Sequence, residues 1–143
     1  MTIRLLDINL LVALGDGAHI HHEHAHIWFE SIMATGFATC PTTQNGVLRI
    51  LGHPLYPNGP GTPRAIFAFV EALTNLAGHV FWPDDVSLTD TDRFHHDQFA
   101  GARHITDTYL LGLAATRKGR LATLDRTIPV KSVRGGENAI EFV

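Results

Sequence analysis

Three aspartates stand where carboxylates could do chemistry together. Asp7 follows the apolar run "IRLL", Asp125 follows "ATL", and Asp107 lies in "ITDTY". Two carboxylates about 4 Å apart repel by roughly 4 kcal/mol at an effective dielectric constant near 20, so three that converge need protons or a cation. Oxygen ligands alone favour a hard ion, Mg²⁺ or Mn²⁺, rather than zinc. Such an ion, keeping several of its waters, suits phosphodiester hydrolysis.

Each aspartate also has an ordinary structural interpretation. Asp107 could simply complement the dipole of a helix that begins beside it. Asp125 could be a turn residue before Arg126. Asp7 is harder to explain in this way, because an acid within "IRLLDINLLVAL" needs a compensating partner. The three positions together favour a site.

A histidine-rich stretch, "HIHHEHAH", offers a competing chemistry. It contains the H-E-x-x-H pattern, which on a helix places two imidazoles and a glutamate for a zinc peptidase. The downstream ligands of known zinc peptidases are missing, since Phe29 and Ile32 occupy the positions of one common extension and the next glutamate after Glu30 is Glu71. We expect these histidines to lie at the rim and start of a helix. Adventitious metal binding and a zinc enzyme are the alternatives.

The elements that must position the aspartates follow from apolar periodicity and from helix start and stop signals. Strands are predicted at "TIRLL", "FATC", "HVFW", "RLATL" and "AIEFV". Helices are predicted from Asp7, over 20–35, from Thr42 or Thr43 to Leu51, from Thr62 through Leu76, and from near Thr106 to Gly119. Alternating strands and helices predict an α/β fold with a mainly parallel sheet. Ligands of such folds bind beyond the carboxyl ends of the strands, where Asp7 and Asp125 are expected.

Length and composition limit the class of protein. The chain of 143 residues fits one domain, and its content of 45% hydrophobic and 17% charged residues is that of a globular protein. No apolar run approaches the length of a membrane span, and Asp7 and Asn9 interrupt the apolar N-terminus, which argues against a signal peptide. Cys40 is the only cysteine, so no internal disulfide is possible. We therefore expect a cytoplasmic protein without membrane contact.

The net charge of −3 argues against strong non-specific binding of nucleic acid. The basic residues are unevenly distributed, because eight of the eleven lie at or after Arg93. A solvated helix end or a local patch that faces phosphate would both explain the group around Arg117 and Lys118.

Four segments resemble the successive motifs of PIN domains, and most closely those of VapC-type ribonuclease toxins. They are "LLDINLLVAL", "TTQNGVLRIL", "ITDTYLLGLA" and "RLATLD", and they span nearly the whole chain. The stretches "HHEHAHIWF", "LAGHVFWPDD" and "RHITD" also resemble those of one VapC subgroup. The resemblance implies a single PIN-type nuclease domain over residues 1–143, a three-layer sandwich with a mainly parallel central sheet between helices.

The resemblance further implies a metal-dependent endoribonuclease. Asp7 and Asp107 match the positions most directly tied to Mg²⁺ or Mn²⁺ in the family, and Asp125 completes the pocket. Asn9 matches a position expected to hold local backbone, and Thr123 a supporting polar position. The implied partners are an RNA substrate, a second copy of the chain in a homodimer, and a cognate antitoxin that caps the site, often with a basic side chain.

Gln44, in "TTQNG", departs from the family pattern, which has glutamate at this position. Its amide can orient a metal-bound water, but it carries no charge and cannot act as a base. Weaker metal binding and slower catalysis are expected. A weakly active or inactive domain that binds RNA or antitoxin is therefore the alternative function.

Overall fold

A parallel β-sheet between two groups of helices forms the centre of the molecule. A computed structural model of the protein describes residues 2–143. Within them, the strands are β1 (Arg4–Leu6), β2 (Phe37–Thr39), β3 (His79–Phe81), β4 (Arg120–Thr123) and β5 (Ile140–Phe142). The α-helices are α1 (Ile8–Gly15), α2 (His22–Ile32), α3 (Pro41–Leu51), α4 (Phe67–Thr74) and α5 (Ile105–Thr116). The strand order is β3-β2-β1-β4-β5, and all four strand pairs are parallel. The predicted α/β class with a parallel sheet is confirmed.

Each face of the sheet carries its own apolar core, because successive residues of a strand point to opposite faces. Leu6 and Ala122 pack with helices α1 to α4. Leu5 and Leu121 pack with α5 and the segments that follow β3 and β4. The molecule therefore has three layers, with the strand ends of β1 and β4 enclosed between the helical layers. Among residues 2–143, none of the helices combines the length and apolarity that crossing a bilayer requires.

The start of α3 differs from the prediction. Neither Thr42 nor Thr43 caps this helix, which begins at Pro41 with Cys40 as the residue before it. Proline is suited to the first helical position, since its fixed φ is helical and it has no N–H to leave unpaired. Thr43 instead stabilises the start from inside the helix, because its hydroxyl accepts a hydrogen bond from the Cys40 N–H at 2.9 Å.

The helix predicted from Thr62 through Leu76 is two elements. Thr62 accepts a hydrogen bond from the Arg64 N–H, but the turn that it caps is a short 3₁₀-helix, Pro63–Ala65. The α-helix begins only at Phe67. Pro63 packs directly on Gly52, where a β-carbon would lie 2.4 Å from the Pro63 Cα, so this turn is fitted to the end of α3 rather than continuous with α4.

Candidate metal centre

Asp7 links the end of β1 to the start of α1. Its backbone is extended, with φ −64° and ψ 156°, and it caps the helix by accepting a hydrogen bond from the Ile8 N–H at 2.7 Å on Oδ1. Its Oδ2 accepts a hydrogen bond from the hydroxyl of Thr123 at 2.7 Å. The side chain is only 2% exposed. Because each carboxylate oxygen has two lone pairs, both oxygens can still bind a cation.

Thr123, fully buried at the end of β4, connects the parts of the site. Its hydroxyl donates to Asp7 and accepts from the Asn9 amide at 3.2 Å and from the Asp125 N–H at 3.0 Å. The Asn9 carbonyl oxygen in turn accepts from the Leu124 N–H at 3.2 Å, the backbone contact expected of this residue. These hydrogen bonds fix β1, α1 and the β4 end relative to one another.

Asp107 and Asp125 meet at the same edge of the sheet, together with His104. Asp107 lies in the first turn of α5, as predicted, and Asp125 lies two residues beyond β4. Ligand atoms of the three side chains all lie within 4.8 Å of one another. That separation is small enough for one ion to reach both carboxylates.

His104 orients Asp107 rather than offering a ligand of its own. Arg103 Nε, which can only donate, contacts His104 Nε2 at 3.1 Å, so Nε2 carries the lone pair. The proton then lies on Nδ1, which donates to Asp107 Oδ2 at 3.3 Å. No nitrogen lone pair remains free for a metal, and the ligands that face an ion are oxygens. This donor set fits Mg²⁺ or Mn²⁺ better than zinc.

The pKa values of the carboxylates are perturbed mainly by burial and hydrogen bonding, and less by their mutual repulsion. Burial, with smaller contributions from the negative charges of Asp107 and Asp125, raises the pKa of Asp7 to about 7, although the hydrogen bond from Thr123 lowers it. Burial also raises the pKa of Asp107. The pKa of Asp125 is lowered, mainly by a hydrogen bond from the hydroxyl of Thr127. A cation among these groups would take the place of the proton on Asp7.

Gln44 lies at the end of the first turn of α3, and its side-chain contact is with the end of β2. Its amide Nε2 donates to the hydroxyl oxygen of Thr39 at 3.0 Å, and Thr39 is also 2.7 Å from His79 Nε2. Burial lowers the pKa of His79, which favours the neutral ring. The side chain of Gln44 is thus anchored through its amide nitrogen to the end of β2.

The structure brings Asp107 and Asp125 together with His104, a residue that the sequence analysis missed. Asp7 lies outside this group, but the charges of both carboxylates still act on it. In "RHITD", the spacing of three residues between His104 and Asp107 puts both on one side of a helical turn. That spacing was the available signal.

The histidine-rich stretch lies away from this site. His22 is the first residue of α2, and its Nδ1 contacts the Ala13 carbonyl oxygen at 2.8 Å. This contact joins the start of α2 to the C-terminal part of α1. His26 is exposed and 3.5 Å from Glu30. The expected position at the rim and start of a helix is confirmed. In the part of the chain that the structure describes, the one group of three or more metal-ligating side chains is that of His104, Asp107 and Asp125.

Fold and site together define an α/β protein with a candidate centre for a hard divalent cation at the carboxyl edge of its parallel sheet. No protein-family model matches the chain. It is 41% identical to Ribonuclease VapC39 of Mycobacterium tuberculosis over 124 residues, which are 87% of this chain and 89% of the relative. It is 37% identical to Ribonuclease VapC44 of the same organism over 131 residues, 92% of each chain. Ribonuclease VapC38 is 43% identical over 122 residues, 85% of this chain and 84% of the relative. The chain belongs to the VapC ribonuclease family.

Proposed function

We propose that this protein is a metal-dependent endoribonuclease, the toxin of a toxin–antitoxin pair, built as a single PIN-type domain over residues 1–143. The observation that carries the proposal is the close pair of Asp107 and Asp125, near enough to Asp7 for their charges to raise its pKa, in a chain related over most of its length to proteins named ribonucleases. The substrate is RNA with an accessible backbone, single-stranded or in loops.

Asp7 and Asp107 hold the ion directly, and Asp125 assists through the ion or its waters. Mg²⁺ or Mn²⁺ fits because the free donors are carboxylate oxygens. Burial raises the pKa of Asp7 to about 7, and a cation beside it would favour its charged form. When bound, such an ion activates water, orients the phosphate and offsets the charge that develops in the transition state.

The other residues of the site prepare it. His104 holds Asp107 in one orientation through its Nδ1–H, and Thr123 holds Asp7. Asn9 secures the backbone after β4, and Gln44 contributes hydrogen bonding without charge. These hydrogen bonds orient the carboxylates that would hold the ion.

The test is RNA cleavage by purified, antitoxin-free protein in Mg²⁺ or Mn²⁺, compared with EDTA. Asp107→Ala should abolish cleavage, because it removes a ligand. Asp97→Ala is a matched control, since Asp97 is exposed and lies outside the site. Cleavage that persists in EDTA or in Asp107→Ala would contradict the proposal.

A domain that binds RNA or antitoxin with little catalysis is the second candidate, favoured by the neutral amide of Gln44 where the family pattern has glutamate. Gln44→Glu separates the two. The added charge should tighten Mn²⁺ binding roughly tenfold, as one more carboxylate contributes to the ion, and should raise the cleavage rate. Titration calorimetry with Mn²⁺ and the cleavage assay measure the two effects. Cleavage that appears only in Gln44→Glu would favour the non-catalytic function for the natural chain.

The family resemblance supports three further assignments: a homodimer, a cognate antitoxin that caps the acidic site, and a cytoplasmic location. A basic side chain inserted among the carboxylates would serve the same charge balance as the metal ion. Light scattering of the purified protein tests the dimer. Mn²⁺ should compete with the antitoxin, and the lack of such competition would place the antitoxin elsewhere.

A further inference from the structure

A groove of about 460 Å³ opens beside the candidate metal centre. Asp107 and Thr106 form one wall, and the N-terminal half of α3 forms the other. Asp84 also lines the groove and accepts hydrogen bonds from the N–H and the hydroxyl of Thr42 at 3.1 and 2.7 Å. Two carboxylates thus line the groove, a poor environment for a polyanion unless cations offset the charge.

A single stripe of α3 faces this groove. Thr42, Asn45, Gly46 and Arg49 line it, and their spacing of three, four and seven residues places them on one side of the helix. Gly46 keeps the stripe close to α1, because a β-carbon there would lie 2.5 Å from the Ile8 Cδ1. Arg49 ends the stripe at the outer end of the groove.

Arg49 is an exposed cation without a partner in the described residues 2–143. It makes no salt bridge and no side-chain hydrogen bond there. The basic group of the C-terminal half behaves differently: Arg117 pairs with Asp85 at 2.7 Å, and Arg120 lies 3.6 Å from Glu141. Two residues of that group are therefore held in ion pairs, which argues against its interpretation as a patch that faces phosphate.

We infer that Arg49 binds a phosphate of the RNA strand next to the phosphate held at the acidic centre. The inference rests on the proposed ribonuclease function and extends it to the path of the substrate. Arg49 and Asp107 line the same groove, so a strand with one phosphate at the carboxylates can run along the groove to Arg49. A guanidinium matches a phosphate with two parallel N–H donors, and the groove between the two positions is open to solvent. Arg49 therefore positions the strand so that one phosphodiester meets the carboxylates.

The experiment measures RNA binding and RNA cleavage separately for the full chain. Binding of a short fluorescent single-stranded RNA is followed by anisotropy in Ca²⁺, between about 50 and 200 mM salt. Cleavage of the same RNA in Mg²⁺ provides KM and kcat. The variants are Arg49→Ala, Arg49→Lys, and Arg134→Ala as a control that removes an exposed arginine outside the groove.

Arg49→Ala should weaken binding and raise KM roughly tenfold, with kcat changed much less. It should also lower the slope of log affinity against log salt by about 0.7, the loss of one phosphate contact with a single strand. Arg49→Lys should retain the salt slope but recover only part of the affinity, since an ammonium lacks the paired donors. Arg134→Ala should match the wild type. Thermal unfolding of each variant verifies that the fold is kept.

The outcomes separate this inference from the function beneath it. If the wild type binds and cleaves RNA and Arg49→Ala behaves like Arg134→Ala, the inference is wrong and the ribonuclease function stands. If the wild type binds RNA without cleaving it, the binding measurements alone test the role of Arg49. Weaker binding by Arg49→Ala supports the inference, and binding equal to that of Arg134→Ala contradicts it. If the wild type neither binds nor cleaves RNA, the proposed function and the inference both fail.

Discussion

Single carboxylates of the site are oriented by hydrogen bonds from neighbouring side chains. His104 is the clearest case, because Arg103 fixes its tautomer and leaves Nδ1–H to donate to Asp107. A residue of this kind acts through its neighbour, so its loss should weaken metal binding and activity together.

His104→Ala should lower both Mn²⁺ affinity and the cleavage rate roughly 10- to 100-fold, the usual cost of losing a hydrogen bond to a metal ligand. His104→Asn is the matched variant, since its amide can place a donor near the position of Nδ1, and it should recover part of both. Calorimetry with Mn²⁺ and single-turnover cleavage measure the effects. Equal loss in the two variants would indicate that packing of the ring, rather than its hydrogen bond, is what matters.

Asp7 couples stability to pH. Its pKa is about 7 in the folded, metal-free chain, against a usual value of 3.8. Between these values the folded state holds a proton that the unfolded state has released, so stability falls as the pH rises from about 4 through 7. The difference is on the order of 4 kcal/mol. In EDTA, Tm should therefore be lower at about pH 8 than at about pH 5.5.

Asp7→Asn is the control for this dependence, because it removes the titrating group and leaves the ten histidines unchanged. Its Tm should vary less over the same pH range. Mn²⁺ should stabilise the wild type more at the higher pH, where Asp7 has lost its proton. The prediction would be refuted by identical pH dependence of the two proteins in EDTA.

At the scale of elements, the site depends on the junction of β1, β4 and α1. Thr123 provides this junction with one hydroxyl that makes three hydrogen bonds. A valine has the same shape but no hydroxyl, so it would leave the Asp7 carboxylate and the Asp125 N–H without this partner.

Thr123→Val should lower the free energy of unfolding by about 1–3 kcal/mol, the cost of buried polar groups left unpaired. Thr123→Ser keeps the hydroxyl and should retain most of the stability. Urea denaturation at constant pH compares them. If Thr123→Ser is as destabilising as Thr123→Val, the hydrogen bonds are not the main contribution to stability. Loss of the packed methyl group of threonine would then explain the effect of Thr123→Ser.

At the scale of the whole molecule, two apolar cores hold the sheet independently of any ion. Both cores consist of buried aliphatic and aromatic side chains on opposite faces of the strands. The carboxylates lie at the edge of this framework, and removing a cation from them leaves both cores intact.

EDTA should therefore abolish RNA cleavage without changing the far-ultraviolet circular dichroism or the cooperativity of unfolding. Adding Mn²⁺ should raise Tm only by the amount that binding to the folded state provides. Loss of helical signal in EDTA would instead make the ion part of the folding core. Measuring the zinc content of the purified protein tests the histidine-rich stretch, since a zinc enzyme would retain stoichiometric zinc after purification.

The order of strands and helices, the parallel sheet and the positions of Asp7 and Asp107 were predictable from the sequence. Apolar runs of three to five residues followed by helical spacing leave few alternatives to a parallel sheet, and the parallel arrangement brings the strand ends to one edge. The element ends were less predictable. Pro41, rather than either threonine, begins α3, a local preference of proline for the first helical position. The turn at Pro63 is separate from α4 because it packs on Gly52 at the end of α3.

The sequence by itself determined the fold class and which carboxylates end the strands, since these follow from local periodicity and from the geometry of parallel sheets. Only the tertiary structure decided how those carboxylates are held: Thr123 donates to Asp7 across 116 residues of chain and accepts from Asn9 across 114. It also decided that Arg49 is left without a partner in residues 2–143. Hydrogen bonds and charge balance depend on distances of a few ångströms between side chains, and residues far apart in sequence acquire such distances only when the chain is folded.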